Sequence, residues 1–324
     1  MNRVEIKKTT EISDSEIGEI ANLFIEVFGG GGHNMTLTSF KNRYLHTPIG
    51  YSVHALLLDE NGKIIGCHHL VPFYYIFDCR KNLFAYGSGT MIKKEHRNFL
   101  TYRRLITESQ KYIVDELGCT FLLGFPNNNS YPVQKKGMKR QDVGDLSIYF
   151  LPVKIGSFKV SLRWLNPLSV FLSKSWIDLS FLSCSRKKHE PLVHRDYESF
   201  NRCRYAIRKN FYIRIEEKNY SGYYCVKNYE GKMIAFVLDI QPISKKFFDG
   251  FVRTMMKELS STEIDGIMFV GYLPFTPMTL VKIPKKFEPK TFHFVGTIFN
   301  KDEIDDRIFD VSNWYVSLAD YDLV

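Results

Sequence analysis

The sequence predicts a mixed α/β chain of two domains, and three observations carry that prediction. Its 324 residues are about twice the common domain length. Apolar residues alternate along the chain between helical and strand spacing. Hydrophobic residues make up 44% of the chain, with 26 Phe and 19 Tyr, which is enough apolar surface for two cores and excludes a disordered chain.

Taken in order, Ile17, Ile20, Ala21, Phe24, Val27 and Phe28 recur at helical spacing behind the capping-box pair Ser13 and Glu16, so a helix is expected from Ser13 to Phe28. Gly29 to Gly32 break it, and a short helix follows over 37–44. The β-rich runs 53–59 and 63–77 flank Asn61-Gly62, the strongest short hairpin signal, and a third run covers 83–94. Helical spacing returns over 101–117 with Gly118 placed as a C-cap, followed by an apolar strand at 119–125, a short helix reaching Lys136 and a strand over 138–150.

The stretch 160–191 is rich in Trp, Leu and Phe and carries Arg163, Lys174, Arg186, Lys187 and Lys188. Two readings stand open for it: a helical hairpin packed between domains, or an interfacial segment over 160–188 touching anionic lipid. Beyond it the pattern gives a helix (194–208), three strands, a helix (244–260) and a strand (267–273). This order echoes the first half. The Gly-Lys turns at Gly62 and Gly231, each followed by an apolar strand ending in proline, lie 169 residues apart. A tandem repeat is the expectation, with domains at 1–152 and 193–324 and a linker at 153–192.

A net charge of +9 favours an anionic partner without choosing one. The six cysteines show no zinc spacing, so no metal is expected, and their scatter indicates a reducing, cytoplasmic setting. The N-terminal segment has no secretory apolar core, and no run is long enough to span a bilayer.

The stretch 89–113 runs from a strand through a basic turn into a helix. A helix N-terminus offers unpaired N–H groups and the positive end of its dipole to a phosphate or diphosphate, and Arg97, Arg103 and Arg104 would add charge. The alternative is an ordinary strand-to-helix connection with solvated arginines. His68 and His69, adjacent in a strand, point to opposite faces and read as core or surface histidines. Cys119 reads as a buried thiol. Gly29 to Gly32 with His33 and Asn34 lack the following Lys-Ser/Thr of a nucleotide loop and read as a hinge.

Residues 97–102, Arg-Asn-Phe-Leu-Thr-Tyr, resemble the Arg/Gln-x-x-Gly-x-Gly/Ala loop of the GCN5-related N-acetyltransferase superfamily, with Leu100 and Tyr102 at the small positions. Residues 127–138 are similar to that family's Asn-x-x-Ala-x-x-x-Tyr-x-x-x-Gly-Phe pattern, with Asn127 and Ser130 in the first two places, Gln134 where the tyrosine stands and Met138 for the aromatic. The resemblance covers about residues 1–150 and extends to a degenerate second copy. It implies two domains, each a central, mostly antiparallel sheet flanked by helices.

The resemblance further implies acetyl-coenzyme A as co-substrate, held by Thr90, Met91 and Ile92 on the strand, by Arg97, Asn98, Phe99, Leu100, Thr101, Tyr102 and Arg103 at the turn, and by Asn127. It implies acyl transfer to an amine, such as an amino sugar or polysaccharide precursor, with Tyr131 as the substitute acid and Glu95 or the Val324 carboxylate as base. The partner is then a small-molecule or glycan amine, and nucleic acid is not expected. Two rivals stay open: a peptidoglycan-bridge type of transferase using aminoacyl-tRNA, and a catalytically silent binding module.

Overall fold

The computed structural model describes residues 2–29, 35–182, 187–259 and 264–321. The glycine segment from Gly30 with His33 and Asn34, Cys184, Arg186 and the Val324 carboxylate lie outside the described residues. In chain order the elements are β1 (Arg3–Lys8), α1 (Asp14–Phe28), α2 (Leu37–Tyr44), β2 (Val53–Leu58), β3 (Ile64–Phe77), β4 (Arg80–Ile92), α3 (Phe99–Asp115), β5 (Phe121–Gly124), β6 (Gln141–Pro152), α4 (Asn166–Leu179), β7 (Val193–Arg195), α5 (Tyr197–Phe200), β8 (Ile213–Glu216), β9 (Ser221–Tyr229), β10 (Lys232–Gln241), α6 (Lys245–Glu258), β11 (Gly266–Gly271), β12 (Val281–Lys282) and β13 (Phe292–Ile298).

The mixed α/β reading holds, and most expected elements fall within a few residues of their places. Ser13 caps α1 through the predicted box, its hydroxyl accepting from the Glu16 amide. The first strand, β1, lies outside the expected order although Val4 and Ile6 alternate with polar residues; it pairs antiparallel with β2 from Arg3↔Leu58 to Lys8↔Val53. The expected helix over 194–208 is a short strand, one α-turn and irregular helical turns.

The chain forms two compact units, neither continuous in sequence: residues 1–144, 192–207 and 293–310 make the first, and 145–191, 208–292 and 311–324 the second. The contiguous division at 152 and 192 therefore does not match how the chain is gathered. In unit 1 the sheet runs β1-β2-β3-β4-β5-β13, with β7 added on the far end of β3. Neighbours pair antiparallel except β4 and β5, which the α3 crossover makes parallel. α3 buries Leu105, Ile106 and Ile113 against one face. Phe40 and Tyr44 of α2 lie on the other, against His54 and His69.

Unit 2 has the sheet order β8-β9-β10-β11-β6, with β12 also on β6 and α6 as crossover between the parallel pair β10 and β11. The 169-residue echo does not fall on equivalent places. The Gly62 turn joins β2 to β3, one hairpin before the strand that leads into α3, whereas the Gly231 turn joins β9 to β10, which itself leads into α6. Both turns use a left-handed glycine, φ 80° at Gly62 and 77° at Gly231, so a shared local turn chemistry accounts for the likeness.

The stretch expected as a hairpin holds the single helix α4 among its described residues, flanked by 3₁₀ turns. Its amphipathicity is inverted. Ser169 and Ser173 face inward and donate to the carbonyls of Val153 and Pro152, while Trp164, Leu168, Phe171, Leu172, Trp176, Leu179 and Leu182 stand exposed at helical spacing.

Each sheet thus closes on a strand from a distant part of the chain, β13 beside β5 and β6 beside β11. A fragment ending at Pro152 is expected to lack the dispersed amide NMR spectrum of a folded domain, because β5 would keep only its three-residue pairing with β4. A dispersed, monomeric fragment would contradict the exchange.

Candidate functional site

The site begins where two neighbouring strands part. β4 and β5 pair only at Phe84↔Phe121, Ala85↔Leu122 and Tyr86↔Leu123. The next residues on each strand, Gly87 and Gly124, have no ladder partner across the gap, and β5 turns its other edge to β13 from Gly124 back to Phe121. Beyond the parting, β4 also changes step against β3: the register moves from His69↔Ser88 to Cys67↔Met91, so β4 carries one extra residue. Gly89 takes the left-handed conformation there, φ 56°, and a Cβ at that position would sit 2.8 Å from the His69 ring. Glycine is required on both counts.

The strand residues expected at the cofactor lie beside this bulge. Met91 and Ile92 have buried side chains, so only their backbone could face a ligand. Thr90 is half-buried, its hydroxyl 2.8 Å from His68 Nδ1. The turn after β4 holds itself together: Arg97 donates from Nε and Nη2 to the Ile92 carbonyl at 3.3 and 3.0 Å. The Nε–Nη2 edge of its guanidinium is thus engaged in closing the turn. Arg104 pairs with Glu108 and the Asn2 carbonyl, and Arg103 is exposed.

α3 opens with Asn98 as its cap, the side chain accepting from the Thr101 amide at 2.9 Å, which leaves the Phe99 and Leu100 amides at the free end of the dipole. Leu100 is 74% exposed. Tyr102 packs on the cluster of Ile65, Ile92 and Leu105. The close contact belongs to Phe99, whose ring lies where a Cβ on Gly137 would be, at 2.5 Å. Glu95 is exposed on the 3₁₀ turn Lys94–His96 and makes no hydrogen bond or ion pair among the described residues.

The loop after β5 carries the second set of expected residues. Asn127 caps its own turn, Oδ1 accepting from the amides of Asn129 and Ser130 at 3.1 and 2.9 Å and from the Ser130 hydroxyl at 3.1 Å. Tyr131 donates to Asp142 Oδ1 at 2.9 Å, its ring stacks on His293 at 3.9 Å, and Lys135 pairs with the same carboxylate. Gln134 accepts from Arg140 Nη1 at 2.8 Å. Arg140 and Asp142 escape sequence reading because nothing in Lys-Arg-Gln-Asp separates them from a solvated turn.

The neighbouring histidines point to opposite faces as expected, and both are buried. On the α2 face Thr9 Oγ1, His54 and His69 form a chain, 2.8 Å from the threonine to His54 Nε2 and 2.7 Å between the two Nδ1 atoms, ending at Cys67 Sγ, 3.5 Å from His69 Nε2. Burial holds His54 well below the ordinary histidine range, reinforced by His69 and His68; burial and then Arg43 bring His69 down to about 3. His68, on the α3 face, is lowered by burial and then by Arg140. Cys119 is a buried thiol, pushed up by burial to about 12. No group of three or more His, Cys, Asp or Glu among the described residues is placed to hold a metal ion, and no helix among them is long and apolar enough to cross a membrane.

No protein-family model matches the chain, and no curated protein matches it by sequence. Solved structures match it in fold. A GCN5-related N-acetyltransferase from Anabaena variabilis superposes with TM-score 0.54 at 11% identity, over 92% of this chain and 73% of that one. Saccharomyces cerevisiae N-myristoyltransferase with bound myristoyl-CoA gives 0.54 at 11% over 91% and 79%, and a probable N-acyltransferase from Enterococcus faecalis gives 0.52 at 11% over 91% and 73%. The fold is that of the GCN5-related N-acetyltransferases.

Buried neutral histidines make stability depend on pH with a definite sign. Their folded pKa values lie below the unfolded value, so the stability they permit is complete above about 6.5 and is lost as pH falls below it. The unfolding free energy from denaturant titrations is expected to drop between pH 7 and pH 5, by about 1.4 kcal/mol per pH unit below about 6.5 for each histidine that stays neutral in the fold. His69→Gln should flatten that dependence; a profile that is flat in the parent protein would contradict the buried chain.

Proposed function

We propose that the chain is an acyl-coenzyme A-dependent N-acyltransferase, with its site in unit 1 and an amine, of a small molecule or glycan, as acceptor. The observation that carries this reading is the parting of β4 and β5 after three pairs, beside a bulge at Gly89 and the N-terminus of α3. A gap of that kind offers strand backbone to an extended ligand arm, and a helix start offers amides to a diphosphate. The bound thioester would supply an activated acyl group, acetyl in the simplest case. Thr90 and the bulge would meet its arm, while the Phe99 and Leu100 amides, with Lys94 and Arg103 close in sequence, would meet its phosphates.

Tyr131 is arranged to move a proton. Its hydroxyl already donates to Asp142, so the phenol oxygen can take a proton from an ammonium while its own passes to the carboxylate. That relay assigns the base to the Tyr131–Asp142 pair in preference to exposed Glu95.

The inverted helix α4 adds a location to the reading. Its outward stripe of Trp, Leu and Phe, with Lys159, Arg163 and Lys174 in the same stretch, has the chemistry of an interfacial segment on an anionic bilayer. Lys and Arg stems lie along apolar surface while their charges reach lipid phosphates.

Two experiments test these statements. Isothermal calorimetry with acetyl-coenzyme A should give sub-millimolar binding, and Tyr131→Phe should keep that binding while slowing acyl transfer by about 10²-fold. No heat from a folded protein would favour the silent module, and a salt-sensitive gel shift with transfer RNA would favour the aminoacyl-tRNA rival. In sedimentation with vesicles of 30% phosphatidylserine, the protein should pellet and Trp164→Ser/Phe171→Ser should stay in the supernatant; equal partition of both would remove the lipid surface from the reading.

A further inference from the structure

Arg140 is 5% exposed, yet no carboxylate answers its charge among the described residues. Its Nη1 donates to Gln134 Oε1, a neutral amide, and its buried Nε has no hydrogen-bond partner. An arginine keeps its proton when buried, so it cannot escape the cost of desolvation by becoming neutral, and an uncompensated buried ion costs several kcal/mol. Such a group in a native fold calls for a reason, and an anion that binds there is one.

The surroundings say where that ligand would sit. Arg140 Nη1 lies 2.8 Å from where a Cβ on Gly124 would be, and the His68 ring lies 3.4 Å from where a Cβ on Gly87 would be. Gly124 and Gly87 are the first positions past the last β4–β5 pair. A nitrogen-bearing side chain therefore stands over the gap on each side, and His68 Nε2 is itself buried without a partner. Since His68 Nδ1 meets the Thr90 hydroxyl, Nε2 remains for a group entering between the strands. Gln134 occupies Nη1, which leaves the Nε–Nη2 edge, the side-on fork that matches the two oxygens of a carboxylate.

We propose that Arg140, with His68 opposite, receives a carboxylate that one of the substrates carries into the gap between β4 and β5. The proposal rests on the acyltransferase reading and narrows it: either the acyl group ends in a carboxylate, or the amine acceptor bears one, as an α-amino acid does. Binding a methyl-terminated acyl group alone would leave the guanidinium uncompensated.

The test is calorimetry on the full chain with coenzyme A, acetyl-coenzyme A and succinyl-coenzyme A, followed by glycine and L-glutamate titrated into protein saturated with coenzyme A. An acyl-borne carboxylate predicts that succinyl-coenzyme A binds at least about tenfold more tightly than acetyl-coenzyme A, a preference lost in Arg140→Met and partly kept in Arg140→Lys. An acceptor-borne carboxylate predicts equal binding of the two thioesters and Arg140-dependent binding of an amino acid. Equal thioesters with no amino-acid binding would overturn the proposal while leaving the acyltransferase reading intact. Absence of coenzyme A binding in the folded parent protein would overturn both. The thioester comparison in the parent protein decides between these outcomes even where Arg140→Met fails to fold.

Discussion

The constraint on which unit 1 depends is the short parallel pairing of β4 with β5. Parallel strands ordinarily keep pairing as long as both remain extended, because every unpaired backbone group inside a fold costs free energy. Here the ladder ends after Tyr86↔Leu123 although β4 runs six residues further. The extra residue at Gly89 turns the remainder of β4, and β5 stops at Gly124 to enter the Asn127 turn. The backbone released by the parting has to be answered by something, and Arg97 answers the Ile92 carbonyl.

The two faces of the sheet handle buried polar groups in opposite ways. On the α2 face Thr9, His54, His69 and Cys67 satisfy one another in a closed chain, packed by Phe40 and Tyr44. Such a chain needs no visitor, and its cost appears only when protons are offered to it. On the α3 face Arg140 Nε and His68 Nε2 remain unanswered. The contrast lies in hydrogen-bond completeness, since both sets are buried.

Sequence spacing made α1, α2, β2, β3, β9, β10 and α6 legible, because the helices bury one periodic face behind a cap while β2, β3 and β10 are continuous apolar runs bounded by turns. β13 and the exchange of strands were not legible, because an apolar strand records burial and leaves its partner unspecified. The site was legible by halves. Helical spacing gave the helix over 101–117, and the structure starts it at Phe99 behind the Asn98 cap, while Arg97, Asn98 and Asn127, which resemblance placed on a ligand, also make the local bonds of their own turns. Gly87-Ser88-Gly89 inside a strand was the available signal for the bulge. Arg140 left none, since its importance comes from what fails to surround it.

The exchange of strands also explains why the echo at Gly62 and Gly231 misleads. Compared by topology, β9, β10, α6 and β11 correspond to β3, β4, α3 and β5, each a hairpin, a crossover helix and a parallel strand, closed by an antiparallel strand from elsewhere in the chain. In that correspondence β10 stands where β4 stands: its parallel pairing with β11 also spans three residues, Ile234↔Gly266 to Phe236↔Met268, and its hairpin with β9 shifts register between Val237 and Asp239 before continuing to Gln241↔Ser221. β10 runs from that pairing through Ser244, whose hydroxyl caps α6 by accepting from the Phe247 amide, with no Arg97-like clasp between. The two sheets thus share one plan, and they differ in the turn that leads into the crossover helix, clasped by Arg97 in unit 1 and capped by Ser244 in unit 2. In unit 2 the exposed chemistry has moved off the sheet to α4, where serines face inward so that the aromatic residues can face out.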